Sequence, residues 1–265
     1  MIAPVPIRHC IGATTVHELA GTRGPILMLP PLARGMDDLL ALGRLLNAAG
    51  WRVLLSDPPE PVPPAADLAA FAAEAAGVLD SLSGGAPAIV LGATFGGRVA
   101  RKLATDRPAL VRCLILLAAG GLVPPRAEDT SAARRFMTAV AAGGPLEPHL
   151  PDGRVYLGRE ADPLCDPWRS CLLQGWVPSV IAAQRGAARA ALSDKHWIAA
   201  GGKAMLAIEG GDDVLAPPGN AACLAALPGA RVMGVTLPGL GHWMALEAPD
   251  RVADAILSNL DRMAS

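Results

Sequence analysis

The stretch AIVLGATFGGRVA, from Ala88 to Ala100, decides the fold of this 265-residue chain. Its first four residues form a continuous apolar run, which is typical of a buried strand. A turn rich in glycine follows at once, and a helical pattern begins immediately after it. The stretch therefore predicts a strand, a tight turn and a helix in direct succession, as in sheets of the α/β class.

The turn matches the motif G-x-S-x-G at every position but one, because Thr94 stands where the motif has a serine. The motif lifts a nucleophile clear of the strand end at the cost of a strained backbone, and small residues such as Gly92 and Gly96 let the chain close. Thr94 keeps the hydroxyl, but its β-branched side chain disfavours a positive φ by on the order of 1–3 kcal/mol. Taken alone, the turn also fits a glycine-rich connection without a catalytic role, although it lacks the spacing of phosphate-binding turns.

Apolar runs and helical patterns alternate along most of the chain. Near-continuous apolar strands of this kind predict a mostly parallel central sheet with helices on both faces. The expected strands are 25–29, 51–56, 87–91, 111–118, 203–208 and 231–237, and the expected helices are 37–49, 65–82, 95–105, 218–227 and 248–260.

The alternation stops in the segment 120–202, which contains proline, glycine and tryptophan and helical pieces near 132–142 and 171–191. We interpret this segment as an inserted helical cap, or lid, on a core formed by residues 1–119 and 203–265. Core and cap are expected to form a single compact unit.

Composition limits the classes of partner. The net charge is −1 and no long run of one sign occurs, so we expect neither nucleic acid nor a membrane as partner. No segment reaches about 18 apolar residues, and the N-terminus lacks the apolar centre of a signal peptide, which favours a cytoplasmic protein. The five cysteines are scattered and no histidine has metal-ligand spacing, so we expect no metal and no cofactor. The expected partner is a small-molecule substrate. The sequence is also compatible with a homodimer.

Two later motifs supply candidate partners for Thr94. The segment GGDDVLAPP follows a predicted strand and contains Asp213, and the segment PGLGHW contains His242 after the last predicted strand. The carboxyl ends of parallel strands are where α/β sheets place their sites. The order Thr94, Asp213, His242 is the nucleophile–acid–base order of α/β-hydrolases.

With these three motifs the chain resembles the α/β-hydrolase superfamily over nearly its whole length. The resemblance implies that His242 takes the hydroxyl proton, that Asp213 orients His242, and that the N–H of Phe95 stabilises an oxyanion. The family spacing G-x-x-D-x-x-x-P runs from Gly210 through Asp213 to Pro217, which favours Asp213 over Asp212 as the acid.

The chain departs from its relatives around the expected pocket. Pro30 and Pro31 occupy the positions of a His-Gly pair, and neither has an N–H, so the resemblance makes Leu32 the second oxyanion donor. Ala93 replaces a histidine that commonly precedes the nucleophile, and the loop after Asp57 is rich in proline. These departures suggest a specialised subgroup.

Candidate substrate contacts are few. Arg34 lies near the oxyanion loop and either pairs with a substrate carboxylate or is a solvated loop residue. Trp243, next to His242, is the better aromatic candidate, whereas other residues either line the pocket or build the core of the cap; these are Trp168, Trp176 and Phe136. Outside the His242 motif, histidines are interpreted as structural or exposed; these are His9, His17, His149 and His196. For His149 and His196, which lie in the expected cap, contact with a ligand is the alternative.

Three functions fit these residues. The first is hydrolysis of a small ester, lactone or related acyl compound through a Thr94–His242–Asp213 triad. The second is a lyase, isomerase or cofactor-free oxygenase in which His242 and Asp213 act as the base and Thr94 only holds the substrate. The third is a non-catalytic ligand-binding protein with a hydrolase-like fold.

Overall fold

The computed structural model describes residues 5–32, 34–60, 67–124, 138, 156–162, 165, 186–187 and 197–264. Eight strands form one sheet in the order β1-β2-β4-β3-β5-β6-β7-β8. The strands are β1 Ile7–Ile11, β2 Thr14–Leu19, β3 Arg23–Leu29, β4 Trp51–Ser56, β5 Ala88–Ala93, β6 Val111–Leu117, β7 Ala204–Gly210 and β8 Arg231–Leu237.

Strands β3 to β8 pair in parallel, which confirms the mostly parallel sheet. Strands β1 and β2 form an antiparallel hairpin that joins the sheet at β4, and the sequence analysis did not predict them. The hairpin lies at the sheet edge and is partly exposed, so polar residues such as His9 and His17 alternate with apolar ones. Such strands lack the continuous apolar run that marks the buried ones.

Helices cover both faces of the sheet. In the described ranges they are α1 Asp37–Ala48, α2 Leu68–Leu82, α3 Phe95–Asp106, α4 Asn220–Ala225, α5 Met244–Glu247 and α6 Pro249–Ala264, with short 3₁₀ turns at Pro108–Leu110 and Ala200–Gly202. Successive residues of β3 point to opposite faces of the sheet. Leu27 packs into the hydrophobic cluster that contains α2 and α3, and Met28 packs into the cluster that contains α1 and α6. This alternation follows from the pleat of the strand.

Most of the expected cap lies outside the described residues, so the boundaries 120–202 remain a prediction. Two parts of it that the structure describes pack against the core. Trp197 and Ile198 join the α2–α3 face, and Tyr156 and Leu157 form a small cluster with Trp243. None of the helices in the described ranges combines the length and apolarity needed to cross a bilayer.

The turn between β5 and α3 depends on two glycines. A Cβ atom on Gly92 would overlap the backbone of Gly96 and Gly97, and one on Gly96 would overlap the carbonyl oxygens of Leu29 and Pro30. The start of α3 therefore lies directly against the end of β5 and the loop after β3. This close approach brings the loop that contains Leu32 to the turn.

Because of this close approach, two glycine-to-alanine substitutions in helices should have opposite effects on the free energy of unfolding. Gly96→Ala is expected to lower the free energy of unfolding by about 1–3 kcal/mol or more, because backbone atoms have to move apart. Gly77→Ala, in α2, meets nothing within 4 Å and should raise it by about 0.5–1 kcal/mol. Urea denaturation measures both, and a Gly96→Ala protein as stable as wild type would contradict the packing described.

Candidate active site

Thr94 occupies the turn in a strained backbone conformation, with φ +48° and ψ −104°. Its N–H donates to the carbonyl of Leu117 at 2.8 Å, and its own carbonyl accepts from the N–H of Gly97 at 3.1 Å. These bonds anchor the turn to β6 and to the first turn of α3. The positive φ expected from the motif is confirmed, and a β-branched residue adopts it here despite its cost.

The hydroxyl of Thr94 faces the beginning of α3. Its Oγ1 accepts a hydrogen bond from the N–H of Phe95 at 2.6 Å, so Thr94 is the N-cap of the helix. The N–H assigned to the oxyanion hole is thus bonded to the candidate nucleophile itself. Within the described residues, no hydrogen bond joins this Oγ1 to His242, although both residues line the same cavity.

Asp213 is buried and pairs with His242, which is partly exposed. His242 Nδ1 lies 2.9 Å from Asp213 Oδ2 and 3.1 Å from Oδ1. Oδ1 also accepts from the N–H groups of Leu215 at 2.9 Å and Ala216 at 2.8 Å, so several donors hold the carboxylate in place. Because Nδ1 is engaged, Nε2 is the ring nitrogen that can exchange a proton on the cavity side.

The carboxylate of Asp212 contacts Arg159. It accepts from the backbone N–H of Arg159 at 3.3 Å and lies 3.6 Å from the Arg159 guanidinium. Asp213, which the family spacing favoured, is therefore the carboxylate that contacts His242. The described histidines of the edge hairpin lie in other surroundings, since His9 contacts Glu18 and His17 contacts Asp57.

The loop that contains His242 is held by groups that the sequence analysis missed. The N–H of His242 donates to the carbonyl of Tyr156 at 2.8 Å. Glu247 accepts from the N–H of Gly158 at 2.8 Å and from that of Gly241 at 3.0 Å, and burial raises the pKa of its carboxyl. Nothing in the local pattern distinguishes Glu247 from an ordinary helix residue, so its role depends on contacts distant in the sequence.

Arg34 is buried rather than solvated, with an exposed fraction of 2%. Its guanidinium makes a bidentate ion pair with buried Asp38 and stacks over the ring of Trp243, 4.5 Å from the centroid. Arg34 is not among the described residues that line the large cavity beside Thr94. Its described contacts join the oxyanion loop to α1 and to the residue after His242, and a contact with substrate stays a prediction.

A cavity of about 390 Å³ opens beside the candidate triad. Thr94 and His242 line this cavity, as do Phe95 and Leu32, the two residues assigned to the oxyanion hole. Thr94 and His242 also line a smaller cavity, together with Trp243, Met244 and Asp38. The remaining predicted contacts and histidines lie outside the described residues; they are Trp168, Trp176, Phe136, His149 and His196.

A strained hydroxyl residue at a strand–helix turn, beside an Asp–His pair from the loops after β7 and β8, is the arrangement that the resemblance implied. A model of the alpha/beta hydrolase family matches residues 9–255. The chain belongs to the alpha/beta hydrolase family. In this alpha/beta hydrolase the position of the serine in G-x-S-x-G holds Thr94.

Solved structures of similar fold include several hydrolases. A serine hydrolase involved in carbazole degradation has a TM-score of 0.73 at 17% identity, over 97% of this chain and 99% of that one. A thermophilic esterase from Thermogutta terrifontis with malate bound has a TM-score of 0.72 at 22% identity, over 98% and 100%. An esterase from Exiguobacterium antarcticum has a TM-score of 0.68 at 19% identity, over 95% and 98%. At these identities the likeness shows the fold of this alpha/beta hydrolase.

The buried Arg34–Asp38 pair predicts a strong dependence of stability on both partners. Arg34→Met leaves the Asp38 carboxylate buried without this partner and should lower the free energy of unfolding by about 3–5 kcal/mol. The double variant Arg34→Met/Asp38→Leu should recover much of that loss. Lys102→Met, which breaks a more exposed pair with Asp106, should cost about 0–1 kcal/mol. Equal losses for Arg34→Met and Lys102→Met in denaturant titrations would contradict the prediction.

The raised pKa of Glu247 predicts a pH-dependent contribution to stability. A carboxyl whose pKa is higher in the folded state holds its proton more tightly there, so its contribution falls as the pH rises from about 4.5 through the raised value. Glu247→Gln keeps an oxygen acceptor but does not ionise. The unfolding free energy of wild type minus that of the variant should therefore decrease between pH 4 and pH 7. Glu160→Gln, at an exposed carboxylate, controls for loss of one charge. A difference that grows with pH would refute this sign.

Proposed function

We propose that this protein hydrolyses a small ester, lactone or related acyl compound through Thr94, His242 and Asp213. The observation that carries the proposal is the pairing of His242 with buried Asp213, with Nδ1 and Oδ2 2.9 Å apart, on the cavity that Thr94 also lines. A base oriented by a carboxylate beside a hydroxyl on a strained turn is the arrangement needed for nucleophilic catalysis. The fold shared with two esterases supports this class of reaction.

The reaction proceeds by two acyl transfers. Thr94 Oγ1 attacks the acyl carbon while His242 Nε2 takes the hydroxyl proton, and the Asp213 carboxylate stabilises the imidazolium. The N–H groups of Phe95 and Leu32 stabilise the oxyanion of the tetrahedral intermediate. The intermediate expels the alcohol, which receives the proton from His242, and leaves an ester on Thr94. Water, deprotonated by His242, then attacks this ester and releases the acid and the Thr94 hydroxyl.

The methyl group of Thr94 slows the attack. It crowds the path to the acyl carbon and restricts χ1 at a residue that already has a positive φ. The hydroxyl also has to exchange its bond with the Phe95 N–H before the oxyanion can use that donor. A serine at this position removes the methyl group and keeps the oxygen.

Variants of Thr94 test the proposal. Thr94→Ala should lose about 10³-fold or more of the turnover of 4-nitrophenyl esters and should not be labelled by a fluorophosphonate. Thr94→Ser should be at least as active as wild type. Thr105→Ala, on the same helix with its hydroxyl bonded to the Arg101 carbonyl, is the matched control and should retain activity and labelling. Ester turnover in Thr94→Ala equal to that of wild type would refute the role of Thr94 as nucleophile.

One observation favours a second function. Because Oγ1 accepts from the Phe95 N–H and makes no hydrogen bond with His242 in the described residues, Thr94 is also placed to hold a substrate while His242 removes a proton from it. This lyase or isomerase chemistry predicts activity that survives in Thr94→Ala and is lost in His242→Ala. His17→Ala, at a histidine of the edge hairpin, controls for loss of an imidazole. A ligand-binding protein without catalysis would show no turnover that depends on His242.

A further inference from the structure

The smaller cavity beside the candidate nucleophile lies on the face of the sheet that α1 and α6 cover. It has a volume of about 10 Å³, and its lining includes Thr94 and His242. A space of that size holds about one water-sized group. The proposed hydrolysis takes place in the large cavity, so this smaller space has no role in it so far.

The side chain of Ala93 faces this small cavity. Ala93 ends β5 and pairs in register with Leu117 of β6, and both pack into the hydrophobic cluster that contains α1 and α6. Leu39 and Met244 belong to the same cluster and line the same cavity. Because alternate residues of a strand point to one face, a larger side chain at position 93 would extend into this space. Ala93 is therefore a small residue that keeps the cavity open beside Thr94.

The side chain of Thr94 has to rotate about χ1 before the attack. Its Oγ1 accepts from the N–H of Phe95, and in the proposed mechanism the oxyanion uses that N–H. Side-chain torsions have three staggered positions about 120° apart, so the rotation moves both the oxygen and the methyl group of a threonine. In a serine the same rotation moves the oxygen and no methyl group. The methyl group of Thr94 therefore needs a space of its own after the rotation.

Two cavities that border Thr94 can receive this methyl group. In the large cavity the methyl group would lie where the acyl group of the substrate binds, and it would crowd the attack. In the small cavity, whose described lining is mostly apolar, it would leave the path to the acyl carbon clear. The small cavity has room for about one such group, and a side chain larger than alanine at position 93 would fill it.

We propose that Ala93 is a positioning residue for the attack, because it leaves the space into which the methyl group of Thr94 turns when Oγ1 leaves the Phe95 N–H. The proposal rests on the proposed function and deepens it, since it explains how a threonine can attack from a crowded position. Ala93 acts through Thr94 and touches no reacting atom. It also relates two neighbouring departures of this chain from its relatives, at positions 93 and 94.

A double-mutant cycle measures the coupling between the two positions. Ala93→Val adds two methyl groups to the small cavity and should lower kcat/KM for 4-nitrophenyl acetate about 10- to 100-fold in the wild-type background. In a Thr94→Ser background, which has no methyl group to place, the same substitution should cost less than about threefold. A purely structural effect of the valine would be the same in both backgrounds. Equal losses, or no loss in the wild-type background, overturn the proposal.

A matched control fills a cavity of the same size elsewhere in the sheet. Ala207, on β7, lines a cavity of about 10 Å³ whose described lining includes neither Thr94 nor His242. Ala207→Val should change kcat/KM by the same factor in the wild-type and Thr94→Ser backgrounds. If urea denaturation shows that Ala93→Val does not fold, Ala93→Cys, which adds a single sulfur atom, replaces it in the cycle. A loss that disappears with serine again supports the proposal, and equal losses overturn it.

The rotamer of Thr94 can also be measured without any substrate. Three-bond NMR couplings from its methyl carbon to the backbone nitrogen and to the carbonyl carbon report χ1. Because a cap hydrogen bond is weak, the rotamer with the methyl group in the small cavity should hold on the order of a tenth of wild-type molecules. Ala93→Val should remove this rotamer, whereas Ala207→Val should leave it.

These measurements separate the role of Ala93 from the proposed function. If wild type hydrolyses esters, the cycle decides, and equal losses mean that the role of Ala93 fails while the hydrolysis stands. If wild type hydrolyses no ester, the proposed hydrolysis fails and the couplings decide alone. Couplings that change in Ala93→Val then support the space for the methyl group, and couplings identical to those of wild type overturn it.

Discussion

The close contact of three backbone segments at the end of β5 is the constraint on which the site depends. Gly92, Gly96 and the carbonyls of Leu29 and Pro30 approach within distances that leave no room for a Cβ atom. Because the chain has to turn sharply within this space, Thr94, two residues from each glycine, takes a positive φ. The same contact brings the loop after β3 beside the first turn of α3. The position of Thr94, the approach of the loop that contains Leu32 and the orientation of α3 thus have one steric cause.

Much of this arrangement could be predicted because its signals are local. Apolar runs marked the parallel strands, and glycine spacing marked the turn at Thr94. Asp213 and His242 could be identified since each follows a buried strand in a motif with family spacing. The edge hairpin could not be predicted in this way, because its strands are partly exposed and mix His9 and His17 with apolar residues.

The supporting contacts of the site depend on residues distant in the sequence. Glu247 bonds Gly158, which lies 89 residues away, and no pattern near either residue indicates the pair. The structure buries Arg34 against Asp38 and Trp243, so the expectation of a solvated loop residue is wrong, while a contact with substrate stays a prediction. An arginine in a loop can take any of these environments, and only the packing of α1 and α5 decides among them.

The hydroxyl of Thr94 caps α3 by accepting a hydrogen bond from the N–H of Phe95. In the proposed mechanism the oxyanion uses that N–H, so the hydroxyl has to give up this bond before it attacks. Replacing such a cap costs a helix about 1 kcal/mol, which corresponds to roughly a fivefold slower reaction. Each catalytic cycle would therefore begin by loosening the first turn of α3 and end by closing it again. In the proposed mechanism, the oxygen that caps α3 before the reaction is therefore also the oxygen that attacks the substrate.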